Sequence, residues 1–446
     1  MRQCFTAQRS IFENYAEHEI GYRLNTLSDI LDGQPEIIKM IEDDLKNDTS
    51  TKRTGRCGMS VESVFRCLLL KQELQVSYKQ LEFLLRDSAT YNTFARLDRS
   101  LPKKSCLQDN IRRVKPSTLE EINLILINDW IDSGDISCKQ LRIDTTVIQA
   151  NIAPPSDSQL LNDSIRVLSR LFSKSRDQTG IKVRFTDKRQ DAKSLAFQIF
   201  NAKNAVKERL YPELIKMAHL VNRQSDSAIL KVETDAKNSE NTQKWLETVR
   251  HYKALLCKVI DQTQRRVFDG ESVPATEKIV SIFEEHTNII IKGERDIHFG
   301  HKVNMSTISG GFVTHLTIED GNPNDSSLYL PVLAYHQNHF GCVPNDVVAD
   351  GCYASQENSF EARRIGVKRT VFSKPVGLSL HQMGVKKKTF KCLKNFRAGI
   401  EGNISELKRR FGLSKSTWKK LEGFKAFVWS SVLMYNLTHM ARVQME

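Results

Sequence analysis

Apolar residues recur every three or four positions along most of this chain, and the places where that period fails mark the strands and breaks. Residues 1–50 are weakly patterned, with one helix expected over 34–46 and a polar linker over 47–54. From Met59 the signals sharpen. Ser60 stands where it would cap a helix carrying Val61, Val64, Phe65 and Leu68, and Ser77 where it would cap a second with Leu81, Leu84 and Leu85. A third helix is predicted over 90–97 and a fourth, bearing Arg112 and Arg113, over 105–114. Lys115-Pro116 breaks the run, and Ser117 with Glu120 has the spacing of a capping box for a helix over 118–131. Short helices joined by tight polar turns suit a helix-turn-helix-like module or an ordinary small bundle; the two arginines tilt the choice toward DNA contact.

At 140–148 the period becomes two. Leu141, Ile143, Thr145 and Val147 fall on one face, Arg142, Asp144 and Thr146 on the other. An aspartate inside a strand is costly unless it has a partner or a metal. The stretch 151–155 ends the strand, and Asp157 is placed to cap the next helix. Residues 158–286 then read as mostly helical, with helical spacing at Leu160, Leu161, Ile165 and Leu168 and again at Trp245, Val249, Tyr252, Leu255 and Leu256. Within that block, 174–193 is polar and basic and reads as a loop or exposed arm. Strands return at Ile289, where two alternating runs are joined by Ser309-Gly310-Gly311, a hairpin signal. Next come a loop over 320–325, with Asp325 placed to cap a helix to Leu333, and a short buried strand ending in Asp350. A helix over 356–365 and a strand over 371–373 complete the order. It fits an α/β domain with a three-stranded antiparallel part and helices on both faces.

The run FRAGIEGNISELKRRFG (396–412) carries two stripes. Ile400, Ile404, Leu407 and Phe411 face a core, while Arg397, Glu401 and Lys408 lie within about 60° of one another on the helix. Gly399 and Gly402 flank the glutamate although each costs about 1 kcal/mol in a helix, which suggests close approach by another group. Taken alone, the spacing of the second stripe favours a solvated face with an Arg397–Glu401 ion pair.

Charge and cysteine usage narrow the class. The 446 residues allow two or three domains and include 66 basic against 53 acidic residues, a net +13. Between Met383 and Lys425 there are 13 Lys or Arg and 3 Glu, a field suited to a nucleic-acid backbone; no long lipid-facing amphipathic helix supports a membrane surface instead. The nine cysteines stand singly without a CxxC pair, so free thiols in a reducing cytoplasm are expected. The opening MRQCFTAQRS lacks the apolar centre of a signal peptide, and no run of about 18 apolar residues could span a bilayer.

Three carboxylates then stand out: Asp144 on a strand, Asp350 at the end of another, and Glu401 on the late helix. Carboxylate oxygens without His or Cys select hard cations such as Mg²⁺ or Mn²⁺, and two ions about 4 Å apart suit in-line phosphoryl displacement. Scattered acids are a weak signal, but their surroundings are specific. LRIDTTVIQANI, HFGHKVNMS, DGNPNDSSL, VVADGCYAS and the 396–412 run, with the helices after KRTGRCGMS, resemble the blocks of DDE-type insertion-sequence transposases. Arg397, Glu401 and Lys408 match that family's Tyr-x2-Arg-x3-Glu-x6-Lys signature, with Lys394 in the tyrosine position. Asp350 and Tyr353 match the second-aspartate block with Cys352 as its small residue, and Ala153-Pro154 replaces a frequent His-Tyr.

The resemblance implies an RNase H-like mixed sheet flanked by helices, with an N-terminal all-helical domain and a helical insertion after the first strand. The expected segments are an N-terminal region and linker (1–54), a helix-turn-helix-like DNA-binding domain (55–135), the start of the catalytic domain (136–155), the insertion (156–288) and the remainder with basic helices (289–446). It implies two Mg²⁺ or Mn²⁺ ions on Asp144, Asp350 and Glu401, cleavage of double-stranded DNA at transposon ends, and transfer of the 3′-hydroxyl to target DNA. The DNA contacts expected are Arg397, Lys408, Arg409, Arg410, Lys386, Lys387, Lys388, Arg112 and Arg113. A homodimer on DNA follows from the need to hold two ends; no membrane and no small-molecule cofactor are expected, and the place is the cytoplasm, at the nucleoid when DNA-bound. A catalytically inactive DNA-binding regulator and a Mg-dependent nuclease without strand transfer are the other readings.

Rival signals are weaker. His298 and His301 lie three apart on a strand and face opposite ways, and His336 and His339 lack a third ligand at zinc spacing. Trp418 is either a core aromatic or a stacking platform for a base.

Overall fold

The computed structural model describes residues 15–46, 58–97, 101–292, 296–374 and 377–446. The expected 47–54 linker, the opening ten residues, and Cys4 and Cys57 lie outside these. The described chain forms two compact units, 1–151 with 301–446, and 152–300.

The first unit opens with seven helices: α1 (Glu19–Asp32), α2 (Pro35–Lys46), α3 (Val61–Leu74), α4 (Tyr78–Asp87), α5 (Ala89–Ala95), α6 (Lys104–Ile111) and α7 (Pro116–Asp132). Helix α1 went unseen in the sequence because its cap is a histidine, His18, and its first turn contains Gly21. Ser60 and Ser77 cap α3 and α4, the second through a reciprocal box with Gln80. The box expected from Ser117 and Glu120 is absent. Pro116 occupies the first turn of α7 behind Lys115, where its preset φ starts the helix without a side-chain cap. Arg66 of α3 is buried and bonds Glu62, Asp32 and Ser28, tying α3 to α1.

Beyond these helices lies the sheet, with strands β1 (Gln140–Gln149), β2 (Asn288–Lys292), β3 (Asp296–Ile308), β4 (Val313–Ile318), β5 (Asp346–Ala349) and β6 (Arg369–Phe372). Strand β1 lies between β3 and β5; β6 follows β5, and β4 pairs with β3. Strand β4 runs antiparallel to β3, whereas β1, β5 and β6 are parallel, with Leu141 opposite Val347 and Val347 opposite Thr370. This is a mixed, RNase H-like α/β sheet. Seven of the ten residues of β1 are buried, as suits a parallel strand covered on both faces. Helices α13 (Tyr329–Phe340), α14 (Gln356–Ile365), α15 (Lys387–Arg410) and α16 (Leu421–Met445) complete the unit. Helix α15 crosses β1, β5 and β6, while α7 and α16 pack on β4.

Cys138 and Cys342 form a disulfide with Cα atoms 6.5 Å apart. They precede neighbouring parallel strands, a juxtaposition that spacing in the sequence cannot reveal. Asp325 caps nothing: Asn324 precedes the short turn there, and Asp325 pairs with Lys302 instead.

In the second unit, α8 (Asp157–Ser173), α9 (Ser175–Thr179), α10 (Arg189–Asn201), α11 (Asn204–Asp235) and α12 (Glu240–Thr263) surround their own apolar core. Ser156, not Asp157, caps α8. The 174–193 stretch is not simply a loop, because α9 and the start of α10 fall inside it and Thr179 and Val183 are buried. Strand β2 and the first residues of β3 form an antiparallel pair at the end of this unit.

Gly399 is explained by the crossing of α15 over β1. A Cβ there would collide with the Arg142 guanidinium, which bonds Thr307 Oγ1 at 3.2 Å, the Ile308 carbonyl at 3.0 Å and the Phe396 carbonyl at 3.3 Å. Arg142 also lies over the Phe396 ring, 4.5 Å from its centroid. At Gly402 an added Cβ meets nothing among the described residues. Gly399→Ala is therefore expected to destabilise the protein by about 1–3 kcal/mol, whereas Gly402→Ala should stabilise it by up to about 1 kcal/mol. Chemical denaturation of the two variants checks the contrast.

Candidate active site

Three distant parts of the chain converge on one guanidinium. Strand β1 carries Asp144 and β5 delivers Asp350 just past its C-terminal end, where open α/β sheets place their sites. Helix α15 lays Arg397 and Glu401 across them. Arg397 Nη2 lies 2.9 Å from Asp144 Oδ2 and 3.5 Å from Asp350 Oδ1, while its Nη1 bonds Glu401 Oε1 at 2.6 Å. The two aspartate oxygens thus reach the same nitrogen, and their separation cannot exceed the sum of those two distances. Asp144 Oδ1 also accepts the Thr145 amide at 2.8 Å.

Electrostatics favour the charged forms of Asp350 and Arg397. Partial burial opposes charge on Asp350, but hydrogen bonds from Ser373 and the Gly351 amide, with the charges of Arg397 and Lys374, outweigh it and hold the carboxyl below its ordinary range. Ser373 Oγ donates to Asp350 Oδ1 at 2.6 Å. For Arg397, burial works against the charge, yet Asp144, Asp350 and Glu401 together raise its pKa. Its buried Nε has no hydrogen-bond partner among the described residues. Glu401 is the open member of the set, its side chain 63% exposed. Gly351 is required beside Asp350, since a Cβ would stand 2.7 Å from Lys374 Cβ.

A second tier supports the acids. Asp325 pairs with Lys302 Nζ at 2.5 Å and accepts the Thr145 hydroxyl at 3.3 Å; the Tyr353 hydroxyl donates to Asn304 at 2.7 Å. Sequence reasoning missed Arg142, Lys302, Asp325 and Ser373 as parts of this neighbourhood. The signal was available in HFGHKVNMS, DGNPNDSSL and VVADGCYAS, whose words supply Lys302, Asn304, Asp325 and Tyr353.

The three carboxylates offer oxygen donors only, the type that hard divalent cations prefer, and Asp350 is held ionised. Among the described residues no group of three His, Cys, Asp or Glu stands close enough to hold an ion together, and Arg397 contacts each of the three acids. His301 and His336 are engaged elsewhere. His336 is buried against Thr314 and its pKa is pushed down to about 3 by burial, and His301 packs on Phe424.

The expected DNA contacts are dispersed. Lys386, Lys387 and Lys388 are exposed at the start of α15, about 15 Å along the helix from Arg397. Lys408 is half-buried two turns beyond Glu401, and Arg409 is exposed. Arg410 is engaged with Glu73 at 3.1 Å and Glu406 at 3.6 Å. Arg112 and Arg113 stand at the end of α6, exposed and half-buried. Trp418 is buried against Phe427, which rules out its reading as a base-stacking platform. The cause is α16, whose apolar face closes over the ring.

Replacing Arg397 by Met should leave three neighbouring carboxylates without their shared cation. The expected loss is about 1–3 kcal/mol, larger at low than at high salt because the repulsion is screened. Denaturant unfolding at two ionic strengths measures it.

Residues 260–437 match the family model described as a transposase DDE domain, and residues 13–113 match one described as a transposase domain (DUF772). Asp350 and Glu401 lie inside the first match, and Asp144 precedes it. No curated protein and no solved structure matches the chain. No helix among the described residues is long and apolar enough to cross a membrane. The two matches, N-terminal transposase domain before DDE domain and together covering more than half of the sequence, show that the chain belongs to the DDE-type insertion-sequence transposases, a family of DNA-cleaving enzymes.

Proposed function

We propose that the chain binds transposon ends and catalyses strand cleavage and strand transfer through Asp144, Asp350 and Glu401. The observation that carries this is the single guanidinium of Arg397 touching all three acids, which come from a strand, a strand end and a helix. Asp144, Asp350 and Glu401 would hold two Mg²⁺ or Mn²⁺ ions. Such ions, when bound, activate the attacking hydroxyl or water and offset charge on the leaving oxygen.

The protein's own groups do the rest. Asp144 is oriented by the Thr145 amide, and Asp350 is kept ionised by Ser373 and Arg397. Arg397 and Lys408, on the same stripe of α15 as Glu401, would meet a backbone phosphate presented to the acids. Lys386–Lys388 and Arg409 extend that basic track, and the α3–α6 helices with Arg112 and Arg113 are read as the DNA-binding module. A homodimer would hold two ends at once.

An idle regulator descended from a transposase is disfavoured because all three acids are present and gathered. Glu401→Gln should reduce cleavage of end-containing DNA by at least about a hundredfold while leaving DNA binding nearly intact. A variant that cuts normally would remove Glu401 from the site, and products joined to target DNA would separate a transposase from a plain nuclease. Binding should also weaken steeply with salt, log K falling by about 0.9 per phosphate neutralised for each unit of log[salt]; a flat response in a filter-binding titration would contradict a basic track.

A further inference from the structure

Within the 152–300 unit, α8 and α10 bury opposite faces in one core, Leu161, Ile165 and Leu168 from the first and Leu195 and Ile199 from the second. Their outer stripes line an open cleft of about 930 Å³. From α8 come Asp163, Arg166 and Arg170, at successive helical steps of three and four; from α10 come Lys193, Phe197 and Phe200, stepped by four and three. Phe197 and Phe200 are 70% and 72% exposed. Leaving a phenylalanine in water forgoes about 1.5–3 kcal/mol, and two side by side mark a surface that something covers.

The charges say what covers it. Arg166 is committed to Asp163 at 2.7 Å and to the face of Phe283 at 5.6 Å. Arg170 and Lys193 make no ion pair among the described residues. From Arg166 to Lys193 the chain carries nine Lys or Arg against three Asp. Of the four cations lining the cleft, Arg166 and Arg189 are paired, with Asp163 and Asp187, which leaves Arg170 and Lys193 to face a ligand; unpaired cations beside exposed aromatic rings match a ligand with phosphates on its outside and flat π faces inside. An apolar protein segment would answer the phenylalanines but leave the cations unanswered.

We propose that this cleft takes a short unpaired stretch of DNA, its bases stacked on Phe197 and Phe200 and its phosphates against Arg170 and Lys193. The inference rests on the reading that the protein works on DNA ends, and it assigns the helical insertion the role of holding a strand that has left the duplex. Its volume lies within the range of about 300–1,000 Å³ typical of sites for organic ligands.

The test uses the full chain with two fluorescein-labelled probes, an oligothymidylate and a perfectly paired duplex. In the Phe197→Ala/Phe200→Ala variant, affinity for oligothymidylate should fall by about tenfold or more, with duplex affinity and thermal unfolding unchanged. Phe197→Trp/Phe200→Trp should restore it, and Arg170→Gln/Lys193→Gln should flatten the salt dependence of single-strand binding. Unchanged single-strand affinity in the alanine variant would overturn the proposal, as would equal loss on both probes. A change in sedimentation of the DNA-free alanine variant, with oligothymidylate binding unaltered, would instead assign the face to a second copy and also overturn it. Failure here, with Glu401→Gln still blocking cleavage, leaves the catalytic reading standing; single-strand binding that depends on Phe197 and Phe200 in a chain that cuts no DNA would do the reverse.

Discussion

Three carboxylates gathered in one place repel one another, and the structure depends on how that repulsion is met. Like charges about 4 Å apart cost about 4 kcal/mol even at an effective dielectric of 20, far more than surface packing would repay. Arg397 meets it with a planar guanidinium whose two terminal nitrogens contact Asp144, Asp350 and Glu401 together. One positive charge cannot balance three negative ones. The cluster keeps a net negative charge and an open side at Glu401, in a protein that carries +13 overall. On the proposed function, small cations would be held at that cluster and polyanions over the basic surface.

Everything beneath the cluster serves to aim α15. The helix can lie close to β1 because Gly399 leaves room for Arg142, and Arg142 bonds the β3 end and the Phe396 carbonyl of the helix in turn. Gly311 performs the same service at the hairpin: with φ of +87° it admits Asn403, and its carbonyl accepts the Tyr435 hydroxyl at 3.0 Å. Asn436 of α16 fastens the neighbouring Val313 through both its amide and its carbonyl. Core, hairpin and helix α15 are thus joined by paired polar contacts, so the acids inherit a rigid frame.

How much of this could be read beforehand divides along physical lines. Features with a local cause were legible: the period-two run around Asp144, the Ser309-Gly310-Gly311 hairpin, the Ser60 and Ser77 caps, and the stripe that puts Arg397 and Glu401 on one face. The glycine at 399 signalled close approach, though not that an arginine would be the neighbour. What stayed hidden arises from tertiary contact. The Cys138–Cys342 disulfide exists because two parallel strands start side by side; Asp325 left its capping position for Lys302; and Trp418 was buried by a helix that begins after it. Helix α1 failed for a local reason, since His18 is an unusual cap.

Whether the acids now bridged by Arg397 are metal ligands decides between an enzyme and a mere binder of DNA. The most direct measurement is anomalous diffraction from crystals of the full chain grown with Mn²⁺. The expected result is two manganese peaks among the carboxylates of Asp144, Asp350 and Glu401, with the Arg397 guanidinium displaced from between them. Manganese bound only elsewhere, with the three carboxylates still on Arg397 at saturating metal, would contradict it.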